Sequence, residues 1–262
     1  MLGNIMNRIA ICTVLKDEHQ YLKEWIEYHM SIGVNSFYLY EDGGKSHSDI
    51  CSNYNNVFLF SVNDYLKTCK HIGPKQKTIY NQFIKDYKNE IDYVFFIDLD
   101  EFIMFGDGYS ISDLVDICQL RNAILLPWKN YGCNGIIDNP HTPVITTYLN
   151  GVNSIGKWND NYAYYCKSFV KLNINDENHY MITNHKHALS DTIVPYNSDD
   201  LYQICWINHY ITKSWEEWCH RLFVRGQIFY NLRNINDFFV YNPDMLPLKQ
   251  ELYKKPYFLR FK

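Results

Sequence analysis

The sequence predicts an α/β fold in which a mostly parallel sheet is flanked by helices and followed by a C-terminal elaboration. Two observations support this prediction. Short runs of β-forming residues alternate with helical segments across the first half of the chain, and short links join them, which is typical of parallel βαβ units. Polar residues also cluster directly after three of these strands, where parallel sheets bind their ligands.

The strands are predicted from runs of β-branched, aromatic and other apolar residues that end at turn residues. In the first half of the chain they cover residues 8–15, 35–40, 57–62, 93–97 and 123–128. After Trp128 the chain becomes rich in Gly, Asn and Pro, and we expect loops and further strands. These strands cover residues 144–149, 162–172 and 201–210.

The helices are predicted from apolar residues that recur every three or four positions and from residues that favour helix ends. They cover residues 19–32, 46–53, 74–87, 110–118 and 214–230. Gly33 is placed to end the first helix, Pro74 to start the third and Ser110 to start the fourth.

The composition narrows the class of protein. With 262 residues, 47% of them hydrophobic, we expect a single domain with a sizeable core, with halves at about 8–128 and 129–230 and a tail at 231–262. A net charge of −4 argues against a nucleic-acid partner. The eight cysteines form no C-x-x-C pair and are expected to be reduced. We find no signal peptide and no apolar run long enough to span a membrane, so we expect a cytoplasmic protein.

The tail mixes basic and aromatic side chains. Its basic residues are Lys249, Lys254, Lys255, Arg260 and Lys262. This pattern predicts a peripheral contact with the inner face of an anionic membrane, with an ordinary docked tail as the alternative.

The clearest chemical signal is the pair Asp98 and Asp100 at the end of the strand at 93–97. Side chains alternate along a strand, so both carboxylates are expected on one face, with Glu101 facing away. Such a pair needs a counter-ion, and oxygen ligands suit Mg²⁺ or Mn²⁺. A pair of solvated surface aspartates is the alternative. Polar residues also follow the first two strands, at 16–18 and 41–42, which favours a metal–nucleotide site at this edge of the sheet.

A second polar segment runs from 206 to 218. His209 lies near the end of a strand and is predicted to complete the ligand set of the metal, with a buried, hydrogen-bonded histidine as the alternative. Lys213 is predicted to bind a diphosphate as a point charge.

Three further features suggest ligand contacts. Trp128 and Tyr131 are predicted to form a wall for a sugar ring, or else to be core aromatics beside a tight turn. Gln76 lies at the start of the third helix, where anions are favoured. His185 and His187 alternate on one face if the chain is extended, which makes a zinc pair conceivable, although no third ligand at metal spacing is found.

In their order along the chain, these residues resemble glycosyltransferase family 92 and its family-2-like relatives, over about residues 9–226. The motifs are Lys16-Asp17-Glu18, Glu24-Trp25-Ile26, Asp98-Leu99-Asp100-Glu101, Trp128-x-x-Tyr131-Gly132, His209-Tyr210-x-x-Lys213-Ser214 and Arg225-Gly226. The chain departs from the family at Asp17, where asparagine is usual, and at Tyr131, where phenylalanine is more common.

The resemblance implies a GT-A (Rossmann-like) fold and an inverting transfer of a hexose from a nucleotide sugar to a glycan or glycolipid hydroxyl, as in polysaccharide biosynthesis. UDP-galactose is the commonest donor in the family and Mn²⁺ the usual ion. The resemblance places Lys16 and Asp42 near the nucleoside, and Glu18 is also predicted to bind the nucleotide sugar. It makes Asp100 a ligand of the metal, and Asp98 a ligand of the metal or of the ribose.

Inversion requires one in-line displacement and a carboxylate that takes the proton of the acceptor hydroxyl. The candidates are Glu216, Glu217 and Glu101. Ser214 and Glu217 also have the S-x-x-E spacing of a capping box, which favours Glu216 as the base. Two other functions stay open. A metal-dependent nucleotidyltransferase is disfavoured because the loop after the first strand holds no glycine, and a non-catalytic sugar- or nucleotide-binding module has no need of the aspartates.

Overall fold

The computed structural model describes residues 7–70, 73–151, 166–183, 185–189, 203–225 and 233–255. The chain divides into two compact units. The first comprises Met1–Trp128 and Trp158–Ile207, and the second comprises Lys129–Lys157 and Asn208–Lys262. The single domain expected from the sequence stays a prediction.

The first unit is built on one sheet. In chain order its strands are β1 (Ile9–Leu15), β2 (Ser36–Glu41), β3 (Val57–Ser61), β4 (Tyr93–Phe96), β5 (Glu101–Phe105), β6 (Ala123–Asn130), β7 (Cys166–Lys171) and β8 (Cys205–His209). The order of these strands in the sheet is β3-β2-β1-β4-β7-β6-β8-β5. The last residues of β6 and β8 belong to the second unit.

The predicted parallel arrangement is confirmed for the first four strands. β1 pairs with both β2 and β4 in parallel, so that Cys12 lies opposite Tyr38 on one side and Phe96 on the other. β3 continues this parallel half. β7 is antiparallel to β4 and to β6, so the sheet as a whole is mixed. The parallel half is the part whose strands are joined by helices, which parallel pairing requires.

The described part of the first unit contains the four helices predicted for this part of the chain and one more, at Val62–Lys67. They are α1 (His19–Ser31), α2 (Ser48–Cys51), α3 (Val62–Lys67), α4 (Lys75–Tyr87) and α5 (Ile111–Arg121). Gly33 adopts φ +105° just after α1, a conformation that glycine adopts at little cost. Ser110 and Asp113 form a capping box at the start of α5.

Three local predictions require correction. Residues 144–149 were expected to be a strand, but Val144–Thr147 form a short helix, α6, directly after Pro143, whose fixed φ favours a helix start. The third strand ends at Ser61, because the Ser61 hydroxyl accepts a hydrogen bond from Asp64 N and caps α3, which the pattern did not predict. β5 (Glu101–Phe105) was also missed.

The core of the first unit lies between the parallel strands and the helices α3 and α4. Tyr40, Val94 and Phe96 from the strands are buried there with Ile79 and Phe83 of α4. Burial of this apolar surface is the main term that stabilises the layer. It also fixes the position of α4 against β4, which matters for the site.

The second unit has its own apolar core. Its later helices are α7 (Trp215–Cys219), a π-helical turn (His220–Val224), α8 (Asp237–Tyr241), a 3₁₀ helix (Pro243–Leu248) and α9 (Lys249–Leu252). The core residues include Trp215, Trp218, Phe238, Met245 and Leu252. The segment predicted as a tail therefore contributes to this core as far as Tyr253. Residues 231–232 and 256–262 of the predicted tail lie outside the described part.

Basic residues of the same segment contact neighbouring side chains. Lys249 Nζ lies 5.3 Å from the ring centroid of Phe239, and Lys255 Nζ lies 3.3 Å from Asp138 Oδ2. Within the described residues we find no helix with the length and apolar character needed to cross a membrane. All eight cysteines are described and free, and only Cys69 is not fully buried.

Candidate active site

The polar residues that follow β1, β2 and β4 lie at one edge of the sheet. These strands are adjacent and parallel, so their carboxyl ends coincide. Lys16 and Glu18 follow β1, Asp42 follows β2 and Asp98 follows β4.

The amino end of α4 joins two of these strand ends. Lys75 Nζ lies 2.6 Å from Asp42 Oδ1. Gln76 Nε2 donates hydrogen bonds of 2.7 Å to Asp98 Oδ1 and to the Tyr80 hydroxyl. The positive end of the helix dipole therefore lies beside the carboxyl ends of β2 and β4, where an anion is favoured.

Asp98 and Asp100 lie in a turn and not on an extended strand. β4 ends at Phe96, and Glu101 N donates to Asp98 O at 3.1 Å. The alternation of side chains along a strand therefore does not apply to this pair. The expectation that Glu101 faces away is wrong, because its Oε2 accepts a hydrogen bond of 2.8 Å from Asp98 N. The Glu101 side chain is fully buried.

Lys167 of β7 is the counter-ion of this turn. Its Nζ lies 2.6 Å from Asp98 Oδ2 and 3.5 Å from Glu101 Oε2. It also lies 5.8 Å from the ring centroid of Trp128. The sequence prediction assigned the neutralising charge to a divalent cation alone, whereas a buried ammonium supplies part of it.

Burial and charge together set the pKa values in this cluster. Burial alone would raise the pKa of Asp98, but the charge of Lys167 keeps that pKa below its ordinary value. Burial raises the pKa of Glu101 well above its ordinary value despite the same ammonium. Burial would lower the pKa of Lys167, but the charges of Asp98 and Glu101 raise it instead. Asp98 and Lys167 therefore form an ion pair at neutral pH.

Asp100 and Glu101 offer oxygen atoms that fit a divalent cation. The Asp100 residue is 7% exposed, and Glu101 Oε1 is buried with no hydrogen-bond partner among the described residues. A buried carboxylate oxygen without a donor is costly unless a cation or a water molecule meets it. Two carboxylates with hard oxygen donors suit Mg²⁺ or Mn²⁺.

The contacts of His185 differ from those of His187. The Trp128 and His185 rings meet edge to face, with centroids 5.4 Å apart. His187 is buried, its Nδ1 accepts from Leu189 N at 3.1 Å, and its Nε2 lies 3.1 Å from His179 Nδ1. Both nitrogens of His187 thus lie within hydrogen-bond distance of protein groups, and the zinc pair with His185 stays a prediction.

The loops after β1 and β2 are tied together by polar contacts. Asp17 has φ +52°, and its Oδ1 accepts from Lys45 N at 3.3 Å. Glu18 N donates to His47 Nε2 at 3.0 Å, and His47 Nδ1 donates to Glu41 Oε1 at 2.8 Å. Aspartate and asparagine are the residues that adopt this left-handed conformation most readily, apart from glycine. The aspartate at position 17 is therefore compatible with the left-handed conformation found there, as an asparagine would be.

The second unit carries the remaining predicted residues. His209 is buried at the end of β8, with Nδ1 2.9 Å from Asn130 Oδ1. Lys213 is buried and has φ +52°, a conformation that is uncommon for lysine. The proposed roles of His209 at a metal and of Lys213 at a diphosphate stay predictions.

The two glutamates at the start of α7 have different contacts. The predicted capping box is present: Glu217 Oε2 accepts from Ser214 Oγ at 3.0 Å and also from the Tyr148 hydroxyl at 2.8 Å. Glu216 is half-buried, and its Oε2 accepts from Asn139 N at 2.7 Å. The choice of catalytic base among Glu216, Glu217 and Glu101 stays a prediction.

Acidic residues and a helix amino end at the carboxyl edge of a parallel sheet are typical of nucleotide-binding α/β proteins. The chain belongs to glycosyltransferase family 92, whose family model matches residues 8–240. The resemblance inferred from the motifs is therefore confirmed.

Family 92 proteins from three plants are similar to this chain. The one from Ricinus communis is 24% identical over 234 residues, which cover 85% of this chain and 39% of that protein. The one from Oryza sativa subsp. japonica is 25% identical, over 53% of this chain and 24% of that protein. The one from Arabidopsis thaliana is 23% identical, over 63% of this chain and 27% of that protein. The chain thus spans less than half the length of these relatives. A mycobacterial protein of known crystal structure is similar at a TM-score of 0.40 and 10% identity, with 77% of this chain and 65% of that one covered.

Proposed function

We propose that this family 92 member transfers a hexose from a UDP-sugar to a hydroxyl of a glycan or glycolipid, with inversion at the anomeric carbon. Galactose is the donor sugar that the family suggests. The observation that carries the proposal is the cluster of Asp98, Asp100 and Glu101 at the carboxyl ends of the parallel strands, beside the amino end of α4.

The cation in this proposal is Mn²⁺ or Mg²⁺, held by Asp100 together with Glu101. Such an ion supplies positive charge that stabilises a leaving diphosphate. The fit rests on the buried Asp100 carboxylate and on the buried Glu101 Oε1 that lacks a hydrogen-bond partner in the described part of the chain.

The residues of the chain itself orient the donor. Gln76 holds Asp98 through Oδ1, and about a third of the Asp98 side chain stays exposed, so it can accept hydrogen bonds from sugar hydroxyls. The backbone N–H groups at the start of α4 and the nearby Lys75 favour the diphosphate at this edge. Trp128 offers an aromatic face to a sugar ring.

In the reaction, the acceptor oxygen forms a bond to the anomeric carbon while the bond from that carbon to the diphosphate oxygen breaks. The proton of the acceptor hydroxyl passes to a carboxylate, and the electron pair of the broken bond stays on the diphosphate.

The test is a panel of nucleotide sugars, with and without Mn²⁺, read by thermal shift and by release of nucleoside diphosphate. UDP and UDP-sugars with Mn²⁺ are expected to raise Tm by about 5 °C or more at ~100 times their Kd. Asp100→Asn should lose this shift and the release of UDP. Asp64→Asn is the matched control, because Asp64 is exposed on α3 and pairs only with surface groups.

Two outcomes would contradict the proposal. Release of pyrophosphate from UTP would indicate a nucleotidyltransferase, and sugar binding with no effect of any nucleotide would indicate a binding module. UDP release by Asp100→Asn at the wild-type rate in EDTA would remove the cation from the proposal.

A further inference from the structure

Lys167 is an unusual residue in the middle of this sheet. It lies on β7, and its side chain has no exposed surface. A lysine is almost never fully buried unless its charge is paired, because desolvation of an ammonium is costly. Its position therefore requires an anionic partner.

That partner is Asp98 of the turn, with Glu101 beside it. The Nζ atom contacts Asp98 Oδ2 at 2.6 Å and Glu101 Oε2 at the longer distance of 3.5 Å. The Trp128 ring covers it on another side, with the centroid at 5.8 Å. One ammonium thus links β7 to both ends of the turn between β4 and β5.

Asp98 and Glu101 differ in how many of their carboxylate oxygens are already bound. Both oxygens of Asp98 are in use, Oδ1 with Gln76 Nε2 at 2.7 Å and Oδ2 with Lys167. Glu101 uses only Oε2, while Oε1 is buried with no hydrogen-bond partner among the described residues. A divalent cation bound to Asp98 would meet the ammonium on the same carboxylate, and the two positive charges would repel each other.

We propose that Lys167 is a positioning residue: its ammonium serves as the built-in cation of Asp98 and, together with Gln76, holds that carboxylate in the orientation in which the proposed function has it bind hydroxyl groups of the donor, with the divalent ion left to Asp100 and Glu101. This inference rests on the proposed function for the identity of the donor. It narrows the sequence prediction, in which Asp98 was also a metal ligand, and it gives a lysine outside the recognised motifs a defined task.

The test uses the full chain and measures two affinities by calorimetry, that of Mn²⁺ alone and that of UDP. Asp98→Asn is expected to change the Mn²⁺ Kd by less than threefold, whereas Asp100→Asn weakens it at least tenfold. Lys167→Met should bind Mn²⁺ more tightly, since the competing charge is gone, and bind UDP at least tenfold more weakly, since Asp98 loses its orientation. Lys171→Met, a half-buried lysine on the same strand, should match the wild type in both affinities.

The proposal can still be tested if Lys167→Met fails to fold. Lys167→Met leaves Asp98 without its partner, so the double variant Asp98→Asn with Lys167→Met is also made; it removes both charges and is expected to recover stability but not UDP affinity. A KM–kcat split gives a further readout: Lys167→Met should raise KM for the donor more than it lowers kcat.

Two results would overturn the inference. An Asp98→Asn variant that loses Mn²⁺ as strongly as Asp100→Asn would make Asp98 a metal ligand. A Lys167→Met variant with wild-type affinities for Mn²⁺ and UDP would leave Lys167 a purely structural residue. Because Mn²⁺ binding is measured without any sugar, failure of the transferase proposal leaves this comparison intact and is recognised by absent turnover.

Discussion

The structure predicts that His29 makes the first unit lose stability as the pH falls below neutral. His29 is fully buried in α1, its Nδ1 donates to Trp25 O at 2.8 Å, and its Nε2 accepts from Ile103 N at 3.3 Å. Burial lowers the pKa of His29 to about 3 from its ordinary 6.5. The folded protein therefore keeps this ring neutral over a range in which the unfolded chain takes up a proton.

The direction and size of the pH effect on stability follow from this difference in pKa between the folded and unfolded states. The stability is fully present above pH 6.5 and is lost progressively as the pH falls from there toward about 3, because only the unfolded state is protonated in that window. Between pH 7.5 and pH 5.0 the lost free energy of unfolding from this one site is about 2 kcal/mol.

The assay is urea unfolding at pH 7.5 and pH 5.0, followed by tryptophan fluorescence and circular dichroism together, for wild type and His29→Gln. Glutamine stays neutral and keeps a donor and an acceptor. The wild type is expected to lose about 2 kcal/mol more than the variant between the two pH values. Other titrating groups, including His187, whose pKa burial lowers to about 3, are common to both proteins and cancel. Equal losses in the two proteins would contradict this prediction, because they would show that His29 titrates alike in the folded and unfolded states.

Further predictions concern the capping box and the loop of the site. Glu217→Gln is expected to lower the free energy of unfolding by about 1–2 kcal/mol, because a neutral amide weakens the bonds to Ser214. Glu216→Gln should stay within ~1 kcal/mol of wild type in urea unfolding, and if Glu216 is the base its kcat falls at least ~100-fold; an unchanged kcat removes it as a candidate. Gly44→Ala places a Cβ against the Asp17 carboxylate at φ +84° and should cost about 1–3 kcal/mol. Gly43→Ala, with φ +75° but open space around its Cβ, is the control and should cost less.

The parallel half of the sheet was predictable because its strands and helices are local patterns. The strands at this edge, β1, β2 and β4, are nearly continuous apolar runs with polar residues directly after them. Both features can be recognised in a stretch of about ten residues. The edge at which Asp42 and Asp98 meet follows from the parallel topology alone.

The geometry of the turn was not predictable from the same patterns. Periodicity assumes that a strand continues, but β4 ends at Phe96 and the following residues fold back through a bond from Glu101 N to Asp98 O. The geometry of this turn also depends on Lys167, which contacts both Asp98 and Glu101. Lys167 is 69 residues from Asp98 in the sequence. The one sequence signal for this contact was a lysine inside an apolar strand. That signal does not indicate which carboxylate the lysine pairs with.

Inverting transfer from a UDP-sugar can be followed by proton NMR of the full chain incubated with Mn²⁺ and UDP-galactose, with the other UDP-sugars of the panel in parallel. We expect formation of UDP and, with water as the acceptor, release of the sugar first as the β anomer, because the α-linked donor is attacked with inversion. Donors that all remain intact with folded protein and bound Mn²⁺, or first release of the α anomer, would contradict this expectation.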